Sequence, residues 1–160
     1  MKLKFSIFCI LGIIFINKPA YSQVDLTVFL SHETEVFYKK SKIPLDMKNE
    51  LNNELKNQNE RFRIANPIRS YRATDIISNR LLPRRQLIFL LNCDDFWLLS
   101  YYLGGRGQSQ KFIYKEISSA NNNKSKLILM RKVENYQHFL ELIKAGENFQ
   151  VFDIPCKYYL

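Results

Sequence analysis

The chain has 160 residues, 24 Lys and Arg against 15 Asp and Glu, a formal charge of +9, two His and three Cys. That length fits one domain able to bury a core, and so few scattered His and Cys argue against a zinc site. The positive balance favours solubility and weak attraction to anionic surfaces. Because the composition is rich in Asn, Lys, Ile, Phe and Tyr throughout, basicity alone is weak evidence for nucleic acid, which ranks last among the expected partners.

Residues 1–22 read as a cleavable signal peptide. Lys2 and Lys4 precede an apolar run over 5–16, and Ala20-Tyr21-Ser22 sets small residues at −3 and −1 of a cut before Gln23. A run of that length falls short of the roughly 20 apolar residues that cross a bilayer. The expected product is a single domain over 23–160, secreted or periplasmic, with a charge of about +6 once Lys2, Lys4 and Lys18 are gone. In an oxidising compartment the two remaining cysteines, Cys93 and Cys156, are candidates for a disulfide. The bridge would close a loop of about 64 residues, worth roughly 4 kcal/mol before native strain is subtracted. The alternative is two buried thiols packing as small hydrophobes.

Residues 24–40 carry Leu26, Phe29, Leu30, Val36 and Phe37, a helical stripe with a strand over 26–30 as the competing reading. Residues 45–62 form the clearest polar helix, with Met47, Leu51, Leu55 and Phe62 along one narrow edge. Pro67 ends that region. Thr74 or Asp75 caps a short helix bearing Ile76, Ile77 and Leu81, which Pro83 stops.

The period then changes. Residues 87–91 are an apolar run, Asn92-Cys93-Asp94-Asp95 is a turn, and residues 96–103 form an aromatic strand. Gly104, Gly105 and Gly107 supply a hairpin loop, and strands over 110–117 and 127–132 follow, with a loop between them. Residues 134–145 are the best helix, with Tyr136, Phe139, Leu140 and Ile143 at i, i+3, i+4 and i+7 and Gly146 as its stop. Residues 149–154 read as a final strand.

The expected fold class is therefore α+β: a mainly antiparallel sheet, a four-strand meander plus a C-terminal strand, packed with N-terminal helices and the helix over 134–145. The runs at 87–91 and 96–103 lack a polar face, so these strands should be covered on both sides, by helices or by a partner subunit.

The chemical inventory is thin, and no catalytic residue, metal ligand or cofactor is expected. Cys93 with His138, or the Asp94-Asp95 turn, is the only conceivable start of a hydrolase. His32, Glu33 and Glu35 offer at most a helical pair, and the glycine loop lacks the Lys-Ser/Thr ending of a phosphate-binding loop. The most suggestive feature is seven arginines within residues 61–85: Arg61, Arg63, Arg69, Arg72, Arg80, Arg84 and Arg85. Guanidinium forks match carboxylate and phosphate geometry. The candidate ligand-binding residues are Arg69, Arg72, Arg84, Arg85, Trp97 and Tyr101. The leading reading is a non-enzymatic exported binding or interaction module, with a homo-oligomer, an acidic protein or an acidic glycan as candidate partners. A small secreted hydrolase and a polyanion binder acting through residues 61–85 are the alternatives.

Overall fold

A computed structural model describes residues 24–31, 33–56, 59–74, 81–94, 96–105, 107–116 and 124–154. The proposed leader, His32, residues 75–80 of the expected short helix with Arg80 among them, Asp95 and Cys156 lie outside the described residues. The fold is α+β, as composition and periodicity indicate. Among the described residues seven strands form one sheet: β1 (Glu35–Phe37), β2 (Ile64–Ala65), β3 (Arg85–Cys93), β4 (Phe96–Leu103), β5 (Ser109–Glu116), β6 (Lys126–Leu129) and β7 (Gln150–Asp153). The order is β1-β3-β4-β5-β6-β7, antiparallel at each step, and β2 adds to β3 in parallel. The expected meander is β3 to β6. Cys93 pairs with Phe96, and Asp94 just after Cys93 takes φ 50°.

Two apolar clusters occupy opposite faces of this sheet. On one face α2 (Leu45–Lys56) lays Met47, Leu51 and Leu55 over Leu90, Leu99, Tyr101, Ile113 and Leu127. On the other, α1 (Val28–Ser31) and α3 (Tyr136–Lys144) pack Phe29, Phe139, Leu142 and Ile143 on Phe89, Leu91, Leu98, Phe112 and Ile128. The doubly apolar strands are thus covered by the chain's own helices. A bulge at Ile88 between Leu87 and Phe89 breaks strict alternation in β3 and sends these two residues to different clusters.

The helices have identifiable ends. The Asn135 side chain accepts from His138 N at 3.0 Å and starts α3. Gly146 N to Ile143 O and Glu147 N to Leu142 O, both 3.0 Å, close it. The polar helix stops at Lys56, short of Phe62, which instead leaves the helix and meets the Tyr101 ring edge-on at 5.8 Å. The helix expected over 24–40 is also cut short. After one turn the chain extends as β1, because Val36 and Phe37 find partners on Leu91 and Leu90 of β3.

Glu50 ties α2 to the sheet. Its Oε2 accepts from Lys115 Nζ at 2.6 Å and Ser125 Oγ at 2.8 Å, and its Oε1 from Ser125 N at 2.7 Å. Asp46 lies 3.4 Å from the same ammonium.

A basic cleft beside β2

The short strand β2 sets the position of a cleft. Ile64 and Ala65 hydrogen-bond beside Arg85 and Gln86, which holds residues 62–69 along the edge of β3. The 3-10 turn Lys40–Lys42 is drawn to the same place, since Lys40 N donates to Asn66 Oδ1 at 2.8 Å. Between these segments and α2 lies a cleft of about 610 Å³, lined by Lys40, Lys48, Arg63, Asn66 and Arg69 with Phe62 and Pro83. Four cationic residues meet there, and among the described residues no carboxylate lines the walls. In such a setting each cation raises the affinity of its neighbours for one anion, and the Arg forks supply paired donors.

The six residues singled out from sequence take different places. Arg69 lines the cleft, with its carbonyl held by Gln86 Nε2 at 2.8 Å. Arg84 and Arg85 turn instead to Glu60, at 3.8 and 3.3 Å. Arg85 is 1 % exposed and its guanidinium also stands 5.3 Å from the Phe62 ring. Arg72 is half-buried where its irregular segment passes Gly104, and its N–H donates to Pro83 O at 2.8 Å. Trp97 stacks on Phe37 with ring centres 6.2 Å apart. Tyr101 is wholly buried under α2, and burial pushes its phenol up to about 12 against the downward pull of the adjacent Arg85. Neither Trp97 nor Tyr101 lines this cleft or the second one described below.

Lys40 and Lys48 escaped the sequence reading. The Lys39-Lys40-Ser41-Lys42 run was the available signal, but it reads as a mere break between elements, and Lys48 sits on a helix whose polar face carries charge everywhere.

Cys93 is buried, its Sγ lies 3.5 Å from Val28 O, and desolvation pushes its pKa up, the more so for the nearby Asp94, while Thr34 pulls it down. Among the described residues there is no disulfide, and no group of three or more His, Cys, Asp or Glu converges as a metal site would require. No helix among them is long and apolar enough to cross a membrane. The second cleft, about 1310 Å³, lies between residues 24–27, the end of α3 and β7; its walls are largely apolar and carry Asp25 and Glu147 rather than cations. Compared with family models, curated proteins and solved structures, the chain matches none of them.

Proposed function

We propose that this chain is an exported, non-enzymatic binding module whose basic cleft takes an anionic ligand. The observation that carries this reading is the meeting of Lys40, Lys48, Arg63 and Arg69 around one concavity that no carboxylate among the described residues lines. Export rests on the leader pattern in residues 1–22. The buried Cys93, with its raised pKa, supports a binder over a thiol hydrolase, because a nucleophilic cysteine needs a depressed pKa and access.

The test is thermal shift with inorganic pyrophosphate and, separately, dextran sulfate, across a salt series. Wild type should be stabilised by at least one of them, and the shift should shrink as salt rises. The double variant Lys40→Glu/Arg69→Glu reverses two exposed charges and should abolish the shift while melting close to wild type. No stabilisation by either probe, or an equal shift in the double variant, would overturn the reading.

A further inference from the structure

Resting on that reading, we infer that the cleft and its rim dock on an anionic lipid surface, with Ile68 as the inserted apolar tip and the surrounding cations on headgroup phosphates. Asn66-Pro67-Ile68-Arg69 is a tight turn, closed by Arg69 N donating to Asn66 O at 3.2 Å. Pro67 at the second position and φ +67° at Ile68 give it the pattern of a type II turn, whose third position favours glycine. A β-branched residue at positive φ is a genuine outlier. Yet Ile68 is 100 % exposed, so it contributes nothing to the core that would offset the strain. The turn is pinned on both sides, by Lys40 N on the Asn66 side chain and Gln86 Nε2 on the Arg69 carbonyl. The Ile68 side chain is therefore held out from the surface at a fixed place, next in sequence to a cleft cation.

A second exposed aliphatic residue stands in the same neighbourhood. Leu81 is 76 % exposed, and its carbonyl accepts from Arg63 Nη2 at 2.6 Å. Projecting aliphatic side chains collared by Arg and Lys suit a bilayer interface. The apolar tips reach the acyl boundary while the cations meet phosphates, each adding attraction to an anionic leaflet. A protein partner would favour an aromatic-rich patch set against a shaped surface, whereas here the apolar part is aliphatic and fully projecting.

Co-sedimentation with vesicles of phosphatidylcholine and phosphatidylglycerol, two to one, tests this against vesicles of phosphatidylcholine alone. Wild type should partition onto the anionic vesicles and release at high salt. Ile68→Asn and Ile68→Gly both accept positive φ, so they should melt at or above the wild-type temperature, yet partition about fivefold more weakly. Wild type and variants are compared as the exported product with residues 1–22 removed, because an apolar run behind Lys2 and Lys4 would itself bind anionic vesicles. If the Ile68 variants bind vesicles as well as wild type, or if wild type ignores the anionic vesicles while pyrophosphate still stabilises it, the lipid inference falls and the anion reading stands. Capture of an acidic protein with no vesicle binding has the same consequence. Loss of every anion response would remove both.

Discussion

At the scale of single residues, one backbone crossing decides how much of this surface can be altered. Gly104 N donates to Arg84 O at 2.8 Å, and the segment through Arg72 and Ala73 passes directly over its Cα. A Cβ built on Gly104 would collide with Arg72 O and lie 2.8 Å from Ala73 Cα. Both are backbone atoms, so the contact cannot be relieved by a rotamer change. Gly104→Ala should therefore cost about 3 kcal/mol or more in urea denaturation, a loss of the overpacking and backbone kind. A midpoint within experimental scatter of wild type would show that the crossing segment is free to lift. The same crossing explains why Arg72, legible in sequence as one arginine of a cluster, is committed to its own loop. Arg84 and Arg85 are diverted likewise: Glu60 supplies a carboxylate that no pattern in residues 61–85 reveals, because it arrives from the segment just before.

At the scale of elements, the chain is legible where local pattern and tertiary structure agree. The strands β3 to β6 show as apolar runs separated by turn residues, and α3 as a stripe with Gly146 as its stop, whereas its Asn135 cap appears only in the structure. The bulge at Ile88 leaves no trace, since a strand apolar on both faces has no alternation to interrupt. β1 and β2 are equally silent. Both are short and owe their form to β3, a partner 20 or more residues away in sequence. This is also why only half of the cleft was readable: Arg63 and Arg69 belong to the arginine cluster, while Lys40 and Lys48 join them only through β2 and the Lys40–Asn66 hydrogen bond. The docking of α2 gives the prediction at this scale. Glu50 and Lys115 are both mostly removed from solvent, at 19 % and 11 % side-chain exposure. Removing one partner of such a pair leaves the other charge desolvated, and here Ser125 N and Oγ lose their acceptor too. Glu50→Ala should cost about 3 kcal/mol by chemical denaturation. Lys115→Met should cost less, because Glu50 keeps its bonds to Ser125. The reverse ranking would mean that Lys115, and not Glu50, is the anchor.

At the scale of the whole molecule, burying both faces of an aromatic sheet has an electrostatic consequence. Tyr101 lies in the cluster under α2, where burial pushes its phenol up to about 12. Tyr114 and Cys93 lie in the opposite cluster, where burial raises both as well, and Glu116 adds to the shift at Tyr114. All three are acids that the folded state holds in the protonated form more tightly than the unfolded chain does. Their contribution to stability is therefore complete below the ordinary values of 9.0 for the thiol and 10.0 for the phenols. It is lost as pH climbs from those values through the shifted ones. For Tyr101 the loss amounts to about 2–3 kcal/mol across the interval. Urea midpoints should accordingly hold steady to a pH of about 9 and then fall. In Tyr101→Phe the stability lost between the neutral plateau and pH about 11 should be clearly smaller than in wild type. Equal losses in the two proteins would place the alkaline weakness outside the α2-covered face, in the cluster of Tyr114 and Cys93 beneath α3.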